Sequence, residues 1–192
     1  MEQINITING TTPLLVHAFT DAAQMDATNG TRLSTNKERG TPTEQAAASL
    51  YRDNNGNPCI PQPNLFRCII DAGKYFKAGK SKITTVKSSL IPACLSISEL
   101  TIPIEHQQPW TVDQRPVRIP STGGRILRYR PCFHDWALSF SVDLDTDVIS
   151  RNLLREIVDA AGTRIGLGDF RPDCKGPFGK FVVTRWVAEK AA

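Results

Sequence analysis

Arg164-Ile-Gly-Leu-Gly-Asp-Phe-Arg-Pro-Asp-Cys-Lys-Gly-Pro-Phe-Gly-Lys180 sets glycines at 166, 168, 176 and 179 around Arg171 and Lys175. A helical pattern precedes it and a strand pattern follows. Glycine lets a backbone turn through positive φ and come close to a ligand. Successive N–H groups in such a turn make a concavity that attracts anions. The segment therefore predicts a cradle for phosphate or a nucleic-acid backbone, with Gly166, Gly168, Gly176 and Gly179 giving close backbone approach. Two nucleotide-cofactor readings fail. A P-loop runs from Gly-Lys-Ser/Thr into a helix, whereas Gly179-Lys180 is followed by Phe181 and a strand. The dinucleotide fingerprint requires a third glycine where Arg171 stands.

Outward from this segment, elements follow from periodicity and caps. Ile4, Ile6 and Ile8 alternate with polar residues, as do Trp136, Leu138, Phe140, Val142 and Leu144, and both runs predict half-buried strands. Thr12 to Val16 continues extended after an Asn9-Gly10 turn. Thr41-Pro-Thr-Glu44 is a capping box opening a short helix to about Leu50. Asp53 to Asn57 is a turn. Pro63 opens a helix to about Phe76 with Leu65, Phe66, Ile69 and Ile70 on its apolar stripe. Ser150 caps a third helix, whose face is Leu153, Leu154, Ile157, Val158 and Ala161, with Gly162 at its end. Phe181 to Val187 reads as the closing strand. Residues 20–40 lack periodicity and are expected to form a mobile loop. The order strand, helix, strands, strand, helix, strand predicts an α+β, ferredoxin-like (RRM-like) palm with inserted loops, one domain over residues 1–192.

The cations are distributed unevenly. Asp113 to Arg130 carries Arg115, Arg118, Arg125, Arg128 and Arg130 on two arms around the Ser121-Thr-Gly-Gly124 turn. This predicts a basic β-hairpin inserted at about 113–130, whose guanidinium forks suit phosphate and can stack on bases. Lys74 to Lys87 holds five lysines and no acid, and Lys80 and Lys82 are further candidates for phosphate contact. Tyr129 and Phe170 are candidates for base stacking. The net charge of +4 is only mildly basic, so the argument rests on these clusters.

Other chemistry finds little support. The five cysteines are scattered without a Cys-x-x-Cys pair and the three histidines are isolated, so no metal site and no cofactor is expected. His17 reads as a structural histidine. Serine and cysteine nucleophile motifs are lacking. No signal segment and no apolar run of membrane-spanning length is seen, which predicts a cytoplasmic protein without a membrane partner.

Three stretches together resemble the repeat-associated RNA-binding (RAMP) superfamily. They are the glycine-rich segment, Asp53-Asn-Asn-Gly-Asn-Pro-Cys-Ile-Pro-Gln-Pro-Asn-Leu-Phe-Arg67, and Ile8-Asn-Gly-Thr-Thr-Pro-Leu-Leu15. The second is similar to the helix-starting signature of CRISPR backbone subunits, with Gln62 and Pro63 where those have Gly-Ser. The ending also resembles that of phage-encoded proteins with Gly-x-Gly-Asp-Phe/Trp-Arg-Pro. The resemblance implies palms assembled side by side into a helical filament along single-stranded RNA or DNA, with the 113–130 hairpin as a thumb reaching the next subunit. It implies as partners copies of the same chain and other effector-complex subunits. Members that cut RNA use an aspartate after the first strand, for which Asp21 and Asp26 are the candidates here. The favoured expectation is a non-catalytic single-strand binder. An RNA-cleaving enzyme, a binder of a small nucleotide signal and a virion assembly protein are the alternatives.

Overall fold

A computed structural model describes residues 1–19, 40–118 and 123–189. The expected mobile loop, with Asp21 and Asp26, and the tip of the basic hairpin lie outside the described residues.

The chain opens with β1 (Glu2–Gly10), in which Ile4, Ile6 and Ile8 are buried as their alternation requires. The two-residue β2 (Leu14–Leu15) follows. Helix α1 (Pro42–Ala48) starts on the expected capping box: Thr41 Oγ1 accepts from the Glu44 N–H and Glu44 Oε2 accepts from the Thr41 N–H. After β3 (Cys59–Pro61), α2 (Gln62–Ala72) buries Leu65, Cys68, Ile69 and Ala72. It tightens into a 3₁₀ turn at Gly73–Tyr75 before the expected end at Phe76. The lysine-rich stretch forms a minimal hairpin of β4 (Lys77–Ala78) and β5 (Ser81–Lys82). The four-residue α3 (Ile91–Cys94), β6 (Leu95–Ile97) and β7 (Thr101–Pro103) lead to the long hairpin of β8 (Thr111–Arg118) and β9 (Arg125–Phe133). Then come β10 (Ala137–Leu144), α4 (Arg151–Ala160) and β11 (Phe181–Glu189).

The main sheet is antiparallel with order β11-β1-β10-β6. Numbered as four principal strands this is 4-1-3-2, with α2 between the first and second and α4 between the third and fourth. That is the expected ferredoxin-like arrangement. One sheet face, with Ile4, Ile6, Ile8, Leu138, Phe140, Val142 and Leu144, packs under the apolar stripes of α2 and α4. Each such side chain contributes roughly 2 kcal/mol of burial. The opposite face is polar and internally bonded, through Thr7 with Ser139 and Ser141 with Asn5. A smaller sheet, β2-β9-β8, carries the basic hairpin off the palm.

One boundary differs from expectation. Gly162 does not end the last helix, which runs on as a π turn through Ala161–Ile165 and stops at Gly166 with φ of 75°. A Cβ on Gly162 would overlap the Phe181 carbonyl oxygen. The glycine is there to let the helix end approach the start of β11.

Candidate nucleic-acid interface

The register of β8 and β9 sorts the arginines onto two faces, because side chains alternate along a strand. Asp113 pairs with Arg130 and Arg115 with Arg128, while the intervening pairs Gln114 with Tyr129 and Arg118 with Arg125 share the other face. Arg118, Arg125 and Arg128 make no ion pair among the described residues, and like charges stand opposite each other at both arginine pairs.

Arg130 is not available to a ligand, against expectation. It is 3% exposed, and its Nη2 donates to Asp113 Oδ2 at 2.9 Å and its Nη1 to Asp169 Oδ2 at 2.8 Å. It ties the hairpin to the glycine-rich segment. Burial pushes the Asp169 carboxyl up, but the Arg130 hydrogen bond and charge outweigh this and hold it below the usual carboxylate range. Arg115 remains half-exposed, bonded through Nε to Asp113 Oδ1 at 2.7 Å, with its guanidinium 4.9 Å from the Phe178 ring centroid.

The glycines are also explained differently from the expectation. A Cβ at Gly168, where φ is 74°, would overlap the Leu15 carbonyl oxygen. Added Cβ atoms would likewise overlap the Phe170 carbonyl at Gly176 and the Leu167 carbonyl at Gly179, and would crowd the Pro172 ring at Gly166. Each of these positions requires glycine because the chain packs on itself there. The Asp169 N–H donates to the Leu15 carbonyl at 2.7 Å and the Gly179 N–H to the Pro13 carbonyl at 2.8 Å, which locks the segment onto the chain beyond β1. Arg171 donates from Nη1 to the Gly168 carbonyl at 3.1 Å, and Lys175 is exposed in the left-handed region.

Two stretches of the resemblance, the glycine-rich segment and Asp53–Arg67, meet at one cavity of about 250 Å³, with Val16 and His17, which follow the third, also in its wall beside Asn64, Arg67, Asp169 and Arg171. Arg67 also holds Asp71 at 2.9 Å. The buried Cys68 thiol joins α2 to the glycine-rich segment through the Gly166 carbonyl at 3.2 Å, and burial pushes its pKa far up, which makes it an inert structural thiol. Burial lowers the His17 pKa, Arg128 and Arg130 add to this, and Asp169 opposes it. These influences favour the neutral imidazole over the charged one. Its Nδ1 is buried with no hydrogen-bond partner among the described residues.

Lys80 and Lys82 are exposed on the small β4–β5 hairpin, Tyr129 is half-buried, and Phe170 is partly exposed beside Phe178. Sequence reasoning missed Asn64, Arg67 and Phe178 as members of this region. All three lie inside quoted stretches, but nothing local marks them. Among the described residues no group of three His, Cys, Asp or Glu is placed to hold a metal ion, and no helix is long and apolar enough to cross a membrane.

No protein-family profile matches the chain, and no curated protein does. Solved structures do. A chain of the type III-B Cmr-beta complex, determined by cryo-electron microscopy with cognate target RNA bound, aligns with TM-score 0.60 and 12% identity over 100% of this chain. This chain spans 61% of the length of that neighbour. A chain of a type IV-B CRISPR complex aligns with TM-score 0.46 and 13% identity, over 99% of this chain and 91% of that one. At such identity the first likeness is one of fold: this chain shares its α+β palm with that chain of the Cmr-beta structure.

Proposed function

We propose that the chain is a non-catalytic, sequence-tolerant single-strand binder that works as one subunit of an assembly laid along guide RNA or another single strand. The observation that carries this reading is the distribution of unopposed cations. Arg118, Arg125, Arg128 and Lys175 have no ion pair among the described residues, and they flank a junction whose own charges, Arg115 and Arg130 against Asp113 and Asp169, cancel. Arg118 stands opposite Arg125 and Arg128 opposite Arg115, and each like-charged pair repels unless an anion lies against it. Arg171 and Arg67 extend the positive lining into the cavity beside them. Lys80 and Lys82 add exposed charge elsewhere on the palm.

The fold supports the same reading, because the chain shares it over its whole length with a subunit of an RNA-bound complex. Copies of this chain and other complex subunits are the partners that the reading requires. Binding that replaces condensed counterions falls linearly in log affinity with log salt, by about 0.7 per phosphate neutralised on a single strand. The test is the affinity for a labelled single-stranded RNA and its DNA equivalent across a salt series, with gel filtration and electron microscopy of the same samples. Affinity that stays flat across the series rejects the reading. A species that grows with oligonucleotide length supports the assembly, and a fixed monomer on every length rejects that part.

A further inference from the structure

The glycine-rich segment uses glycine at 166, 168 and 179, each with φ between 70° and 75°. Phe170 stands in the same left-handed region, with φ of 51°. A bulky side chain there is a genuine outlier, and strained residues persist only where their surroundings over-determine them. Here the surroundings do. Asp169 Oδ1 accepts the Phe170 N–H at 2.9 Å while its other oxygen is held by Arg130. The Phe170 carbonyl accepts the Phe178 N–H at 3.3 Å, and the missing Cβ of Gly176 leaves room for that same carbonyl. The Phe170 ring lies 6.0 Å from the Phe178 ring, tilted by 39°, and the Arg115 guanidinium rests over Phe178 from the hairpin. These contacts close a ring that joins hairpin and palm: Arg115, Asp113, Arg130, Asp169, Phe170 and Phe178.

A glycine at 170 would relieve the backbone, as it does at the three neighbouring positions. The side chain is retained instead, and it is left 36% exposed. An exposed aromatic ring against Phe178, over which Arg115 rests, with Arg171 and Lys175 on the same segment, offers the two things a single strand needs, a π-face for a base and cations for its phosphates. We propose that Phe170, backed by Phe178 and Arg115, is the platform on which one unpaired base of the bound strand stacks. This rests on the single-strand reading above and adds a base contact to a backbone contact. Every base has a π-face, so the platform is tolerant of sequence.

The test compares wild type with Phe170→Gly and Phe170→Leu. Each is measured by thermal melting and by affinity for a mixed-sequence single-stranded oligonucleotide, and for the same backbone made abasic. Phe170→Gly is expected to melt at or above wild type, since glycine fits the positive φ. Both variants are expected to bind the normal oligonucleotide about 5- to 150-fold more weakly, the span of one aromatic–base stack. On the abasic strand wild type and variants should be equal. If Phe170→Gly does not fold, Phe170→Leu decides by the same comparison. Wild-type affinity in the variants overturns the proposal, as does a variant loss that is the same on the abasic strand. A change in self-association with oligonucleotide affinity intact makes Phe170 a protein contact and also overturns it. Wild type that binds no single strand at any salt fails the functional reading itself, whereas binding that ignores residue 170 fails the platform alone.

Discussion

Arg130 on the hairpin and Asp169 on the glycine-rich segment are joined at 2.8 Å, 39 positions apart in the chain. The same guanidinium holds Asp113, which is 9% exposed, so one buried fork serves two carboxylates. Replacing one partner of a buried pair leaves uncompensated charge behind and destabilises by about 3 kcal/mol or more. Arg130→Met is therefore expected to lose about 3 kcal/mol in urea unfolding. Arg130→Lys should recover only part of this, because an ammonium cannot reach two carboxylates as a planar fork does. A midpoint unchanged in Arg130→Met would mean that the tie contributes nothing to the fold.

Two glycines with similar dihedrals separate backbone strain from overlap. Gly56, with φ of 82°, has open space where a Cβ would stand, whereas that space at Gly168 holds the Leu15 carbonyl. Gly56→Ala is expected to lose about 1 kcal/mol, the left-handed penalty alone. Gly168→Ala is expected to lose at least about 3 kcal/mol, the upper range of single substitutions. Equal losses in thermal or urea unfolding would show that packing against Leu15 is not what selects glycine there.

The features legible in the sequence were the local ones. Ile4, Ile6 and Ile8 announce a strand, and Thr41 and Ser150 announce helix starts, because each signal lies within a few residues of its effect. Gly168 and Gly176 show the opposite case. A glycine that admits a ligand and one that admits a neighbouring carbonyl look identical in sequence, and only the fold brings the Leu15 carbonyl to residue 168. Strand parity alone puts Arg115 and Arg118 on opposite faces, but the partners of Arg130 depend on hairpin register and on a segment far along the chain. His17, Asn64 and Arg171 meet only because the two halves of the ferredoxin-like fold pack together.

His17 makes the stability depend on pH in a defined direction. Its folded pKa lies below the ordinary 6.5, so the unfolded chain binds a proton first as pH falls. Stability from this group is complete above about pH 7 and is lost as pH falls through 6.5 toward the depressed value. Arg128 and Arg130 reinforce the effect and Asp169 opposes it. The Asp169 carboxyl, itself held below 3.8, keeps its charge through this window and loses its contribution only at lower pH. Urea midpoints should decline between about pH 7 and pH 5 in wild type and stay level in His17→Gln. Parallel profiles would assign the decline to another group.

The two faces of the hairpin predict two classes of arginine. Arg128 stands on the face that turns toward Asp169 and Phe178, whereas Arg118 and Arg125 stand with Tyr129 on the reverse. A strand held against the glycine-rich segment by one subunit meets the first face and not the second. Arg128→Gln and Lys175→Gln should therefore weaken binding of a short oligonucleotide, each reducing the log–log salt slope by about 0.7. The double variant Arg118→Gln, Arg125→Gln should leave that short complex unchanged. On an oligonucleotide long enough for several subunits it should lower affinity, because the reverse face then meets the strand or the chain of the next copy. Equal sensitivity of the double variant on short and long strands would mean that both faces serve one subunit's strand, with the hairpin lying across it rather than reaching beyond it.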